Sequence, residues 1–129
     1  MTLLTHKEVQ DYLSIVDKVP AAERVKITTL LEMDRVERCK ESFLPFVKEM
    51  WPIFISGKHH QIMADAFERV ARGELKRLII NMPPRHTKSE FASFLLPSWF
   101  LGKFPEKKVI QTAHTAELST GFGRKVRNL

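Results

Sequence analysis

The chain has 129 residues, of which 21 are Lys or Arg and 15 are Asp or Glu, giving a formal net charge of +6. That length holds one small domain with a single core, and 43% hydrophobic with 28% charged residues excludes a disordered tail. The single cysteine, Cys39, excludes a disulfide framework and a Cys-rich zinc module. No apolar run reaches the roughly 18–20 residues of a membrane span, and Met1 to Asp11 lacks the pattern of a secretory signal, so the expected setting is intracellular and reducing.

Taken in chain order, the first half reads as helical. Thr5-His6-Lys7-Glu8 has the form of a capping box, with Val9, Leu13 and Val16 following at helical spacing. Pro20 suits the first turn of a second helix, whose apolar face carries Val25, Ile27, Leu30, Leu31, Met33 and Val36. Ser42 to Pro52 is a short aromatic segment (Phe43, Phe46, Trp51) expected to pack the two halves together. After the turn at Ser56-Gly57 a third helix is expected from about His59 to Arg72, stopped by Gly73.

The second half reads as alternating. Leu75 to Met82 is a short apolar run with a charged start and a Pro-Pro exit, which predicts a buried strand. A loop, Pro83 to Thr87, leads into a helix from about Lys88 to Leu101, kinked near Pro97. Lys107 to Ala113 predicts a second strand, and helix resumes from Thr115. The predicted fold class is therefore α/β: a helical region over residues 1–56, then over 57–129 an incomplete parallel sheet in the order strand–loop–helix–strand–helix. Charge follows the same division. Residues 1–69 carry ten basic and eleven acidic side chains, whereas 70–129 carry eleven basic and only four acidic. A polyanionic partner for the second half and a merely solvated basic face both account for that surplus.

The loop is where chemistry is expected. A phosphate-binding loop between strand and helix needs converging backbone N–H groups, a Lys that reaches the β and γ phosphates, and an adjacent Ser or Thr hydroxyl for Mg²⁺. Lys88 and Ser89 stand in those places, although Met82 and Thr87 occupy the two positions where the usual motif has glycine. The segment Leu78-Ile79-Ile80-Asn81-Met82-Pro83-Pro84-Arg85-His86-Thr87-Lys88-Ser89-Glu90 resembles the deviant Walker A segment of tailed-phage terminase large subunits, the ATP-driven motors that package viral DNA. Members of that family more often carry Gly at the position of Thr87. His59-His60-Gln61 resembles the family's adenine-recognition segment. Pro97 to Gly102, Lys107 to Ile110 and Phe122 to Arg127 resemble its following helix, strand and helix, so that the similarity spans residues 43–129.

The resemblance implies ATP and Mg²⁺ as cofactors. Gln61, Pro84, Arg85, His86, Thr87, Lys88 and Ser89 would contact the nucleotide, with Arg85 and Lys88 acting on the γ-phosphate and Ser89 on the metal. Arg124 and Arg127, with Lys125 between them, are candidates for DNA-backbone contact, for a trans-acting arginine in a neighbouring subunit's site, or for plain solvation. The implied partners are double-stranded DNA, the small terminase subunit, the portal protein and further copies in a homo-oligomeric ring, with no membrane. The implied location is the host cytoplasm, docked transiently on the procapsid. No apolar run ending in Asp follows the loop, so the Walker B strand and the nuclease carboxylates are expected outside this chain, and the 129 residues alone are expected to hydrolyse ATP negligibly. Two alternatives stand beside this reading: a helicase-like ATPase with a similar loop, and a non-catalytic basic module that binds nucleic acid.

Overall fold

A computed structural model describes residues 3–129. Its elements are α1 (His6–Ile15), α2 (Ala21–Glu41), α3 (Phe43–Met50), α4 (Lys58–Ala71), a π-helical turn (Glu90–Leu95), α5 (Leu96–Lys103) and α6 (Ala116–Arg127). They form two compact units, one ending at Ser42 and the other running from Phe43 to Leu129.

In the first unit α1 begins with the expected capping box: Thr5 Oγ1 accepts from the Glu8 N–H at 3.3 Å, and Glu8 Oε2 accepts from the Thr5 N–H at 2.7 Å. Pro20 is the N-cap of α2, and the turn before it is closed by Arg24, whose guanidinium donates to the Asp17 carbonyl at 3.1 Å. The buried residues of α2 are Ile27 and Asp34. Asp34 is 4% exposed, and its carboxylate accepts from the Leu4 N–H and from Arg38 Nε, both at 2.7 Å. Arg38 also donates to the Leu4 carbonyl, so one ion pair fastens the chain ahead of α1 to the last turns of α2. The hydrogen bond from Arg38, assisted by that from Leu4, holds the Asp34 carboxyl below the usual carboxylate range despite its burial.

The second unit is built on aromatic rings. Phe43, Val47, Met63, Ala64, Phe67, Phe91, Leu95 and Trp99 form its buried core. Phe43 lies at the centre, edge-on to Phe67, Phe91 and Trp99 with centroids 5.4–5.6 Å apart. Its N–H, orphaned at the start of α3, donates to Glu68 Oε1 on α4 at 2.8 Å. The aromatic segment thus becomes a helix packed on α4 and α5 inside the second unit.

The expected parallel sheet is not formed, and the α/β assignment is overturned: among the described residues there is no strand. Leu75–Met82 and Lys107–Ala113 run without ladder pairing. Leu78 to Met82 lie beside Ile62, Met63 and Ala66 of α4, whereas Val109 and Gln111 lie against α5 and α6. A strand of a parallel sheet needs partners in the sheet and cover on both faces. Here Ile79 and Ile110, the middle residues of the two runs, are 86% and 90% exposed.

Between the two runs, residues 88–103 are helical as expected, but the irregularity ahead of Pro97 is a π turn, in which the Leu96 N–H bonds the Phe91 carbonyl five residues back. Phe91, Leu95 and Trp99 recur every four residues, and in a regular α-helix that spacing drifts about 40° per step. The wider turn takes up part of the drift and keeps all three rows on the core. Pro97 also lacks the N–H that would bond Ser93 in an α-helix, and the Gln111 amide donates to the Ser93 carbonyl instead, at 2.8 Å. No helix is long and apolar enough to cross a membrane among the described residues.

Replacing Asp34 by Ala leaves the Leu4 N–H and the Arg38 guanidinium without their acceptor, and about 1–3 kcal/mol should be lost from the first unit at neutral pH. Because the folded carboxyl titrates low, its stabilisation is present above the ordinary carboxylate pKa and is lost as pH falls through the depressed folded value. Urea unfolding followed by circular dichroism across that acid range should therefore show a steeper decline for the parent than for Asp34→Ala. Equal acid slopes would contradict the role given to Asp34.

Candidate functional site

The loop before Lys88 starts stiffly. Pro83 and Pro84 fix their own φ, and Pro83 and Pro84 in turn restrict Met82 and Pro83. The backbone then takes an unusual course. Arg85 has φ 65° and Thr87 φ 57°, while His86 between them has negative φ, so the sign alternates over three non-glycine residues. Thr87 is the costlier of the two, because a β-branched side chain in the left-handed region crowds its own backbone. Such conformations cost on the order of 1–3 kcal/mol each and persist only where surrounding contacts over-determine them.

One such contact comes from α4. Gly57 is its N-cap and His60 its third residue, and the Gly57 N–H donates to His60 Nδ1 at 2.9 Å. This is the half of a capping box that Glu or Gln ordinarily supplies. With Nδ1 accepting, the ring proton sits on Nε2, which lies 2.8 Å from Thr87 Oγ1 and donates to it. The Thr87 hydroxyl in turn donates to the His86 carbonyl at 2.7 Å. The chain Gly57, His60, Thr87, His86 therefore has one direction and no unfilled role. A Cβ at Gly57 would approach the His59 ring to 3.0 Å, so a larger residue there would have to push that ring aside by a few tenths of an ångström.

His60 is 5% exposed, with the Phe54 ring edge-on at 4.7 Å, the Phe91 ring at 4.9 Å and the His59 ring at 3.8 Å. Burial pushes its pKa down from the ordinary imidazole value, and the neighbouring His59 and His86 push the same way. The rest of the loop is closed by three links. The His86 ring Nδ1 bonds the Pro84 carbonyl at 2.9 Å, the Phe91 N–H bonds the Thr87 carbonyl at 2.9 Å, and Lys88 Nζ reaches back to the Met82 carbonyl at 3.3 Å.

The structure brings Pro84, Arg85, His86, Thr87, Lys88 and Ser89 together as one loop, with Arg85, His86 and Ser89 exposed and Thr87 and Lys88 half-buried. Gln61 is exposed in the first turn of α4, and the residue that joins α4 to the loop is its neighbour His60. Sequence reasoning missed His60; the available signal was its place three residues after a glycine N-cap. Arg124 and Arg127 are exposed on α6. Lys125, grouped with them by sequence, instead pairs with Glu90 at 2.9 Å and lies over the Phe94 and Phe122 rings, fastening α6 to the π turn. Among the described residues no group of three or more His, Cys, Asp or Glu side chains could hold a metal ion. Comparison with protein-family models, with curated proteins and with solved structures found no match.

Long-range ¹⁵N spectra of the histidine rings should show His60 as the Nε2–H tautomer with a titration midpoint below the ordinary value of about 6.5. A proton resident on Nδ1, or a midpoint above that value, would contradict the hydrogen-bond chain.

Proposed function

We propose that residues 83–89 bind the β and γ phosphates of ATP with Mg²⁺, and that the chain is the nucleotide-binding part of a tailed-phage terminase large subunit. The carrying observation is the alternation of φ sign through Arg85, His86 and Thr87 directly ahead of Lys88 and Ser89. Alternation in the sign of φ can turn successive N–H groups toward one side, as in the concavity that receives phosphate oxygens in glycine-rich loops. The proposal concerns this loop and requires no sheet around it.

The donor set fits a nucleotide triphosphate. Lys88 Nζ spans the loop to the Met82 carbonyl, a neutral acceptor that an anionic phosphate oxygen would outcompete. Arg85 is exposed at the turn and offers planar, bidentate contact to phosphate. The Ser89 hydroxyl, exposed at the first helical turn, is the hydroxyl that would complete the coordination of a phosphate-bound Mg²⁺. When bound, that ion would neutralise charge on the β and γ oxygens, and this chain's residues would orient the phosphates and balance their charge. Gln61, one residue from His60, is the group proposed for the adenine edge. Arg124 and Arg127 are proposed for DNA backbone or a neighbouring subunit. In the assembled motor, ATP hydrolysis would drive DNA into a procapsid through the portal, with the small terminase subunit delivering the DNA.

Lys88→Ala should weaken binding of a fluorescent ATP analogue in the presence of Mg²⁺ by roughly 10- to 100-fold, the value of one charged hydrogen bond, with the circular-dichroism spectrum unchanged. Unchanged affinity would end the phosphate-loop assignment.

A further inference from the structure

Thr87 presents a physical puzzle that the phosphate-binding reading leaves unsolved. A β-branched residue holds φ 57°, where glycine would sit without strain, and it does so in the loop whose shape matters most. Its hydroxyl is used twice, accepting from His60 Nε2 at 2.8 Å and donating to the His86 carbonyl at 2.7 Å, so the side chain is fixed from both ends.

We propose that His60 is a positioning residue of the phosphate loop: its bond to Thr87 Oγ1 holds Thr87 in the left-handed conformation and so does for this loop what a glycine would do without assistance. This rests on the phosphate-binding reading above. His60 is suited to the task because it is itself immobile. Its ring is buried between Phe54 and Phe91, and its second nitrogen is committed to the Gly57 N–H. The restraint comes from a different element, 27 residues earlier in the chain, so the loop is tied to the start of α4 as well as to its own neighbours.

The device works in one protonation state. A proton on Nδ1 would set two donors, the ring N–H and the Gly57 N–H, against each other. The titratable groups that face the ring are His59 on α4 and His86 in the loop; Phe54 and Phe91 cover it otherwise, and among the described residues no carboxylate acts on it to favour the charged form. Acid therefore breaks the Gly57 bond that fixes the ring, so the hold of the ring on Thr87 loosens and nucleotide affinity should fall with it.

The test is a double-mutant comparison on the whole chain, reading affinity for a fluorescent ATP analogue with Mg²⁺. Thr87→Val keeps the shape, removes the hydroxyl and leaves the core untouched, so it guards against a His60 variant that fails to fold. Thr87→Val and His60→Phe should each weaken binding roughly three- to tenfold, the range for one neutral hydrogen bond. Thr87→Gly should bind more tightly than Thr87→Val, because glycine takes the left-handed conformation without the help of a hydroxyl. Adding His60→Phe to Thr87→Gly should then change affinity by less than about twofold, and the acid-side loss of affinity carried by His60 should disappear in Thr87→Gly. Equal losses for His60→Phe in both backgrounds, or undiminished binding by Thr87→Val, would overturn the role of His60 while leaving the phosphate site standing. Failure of the parent chain to bind the analogue would overturn the phosphate site itself, and with it any positioning role for His60 in nucleotide binding.

Discussion

The burial of the Phe91 ring is the constraint on which the loop and the second unit's core both depend. The ring is fully buried and meets Phe43 at 5.6 Å, Phe54 at 5.3 Å and His60 at 4.9 Å, which ties α3, the segment before α4 and α4 itself to the helix that follows the loop. Its backbone is committed as firmly. The N–H holds the Thr87 carbonyl, and the carbonyl takes the Leu96 N–H in the π turn. Wherever the core draws the ring, the end of the loop must follow. Burying a Phe is worth on the order of 2–3 kcal/mol, comparable with the strain of a left-handed Thr. Hydrophobic packing is therefore large enough to hold a loop that local preferences oppose.

Polar groups then refine what the ring imposes. The chain from Gly57 through His60 to Thr87 adds direction, because each donor has one acceptor and the imidazole can serve only when neutral. Two departures from regular backbone, the left-handed residues of the loop and the π turn after it, stand within ten residues of each other. Conformations of both kinds recur at functional sites, where stored strain maintains an arrangement that relaxed backbone would not. Here they flank Lys88 and Ser89, the two side chains proposed to meet phosphate and Mg²⁺. The first unit stands apart from this logic: its buried Asp34 carboxylate fixes the chain ahead of α1.

The helices were legible in the sequence because their signals are local. The Thr5–Glu8 capping box, Thr115 accepting from the Leu118 N–H at 3.3 Å, and Gly73 with φ 79° after α4 each act within a few residues. The sheet was misread for the opposite reason. An apolar run such as Leu78 to Met82 states that it will be covered, not what will cover it, and here α4 lies along it while Ile79 faces outward. Position 87 was readable as the place where glycine is wanted, yet the compensation at His60 lies 27 residues away and depends on which ring nitrogen is free. Pro97 announced an irregularity, but the form it took depended on the four-residue spacing of Phe91, Leu95 and Trp99 against one core. Lys125 looked like part of a basic face and proved to be Glu90's partner.

The claim that this loop receives phosphate is tested most directly by where the nucleotide acts on the backbone. In ¹H–¹⁵N spectra of the labelled chain titrated with ATP and Mg²⁺, the amides of Arg85 to Ser89 should move most and saturate along a single isotherm. Perturbations confined to α6, or loop amides that stay still at saturating nucleotide, would contradict the account.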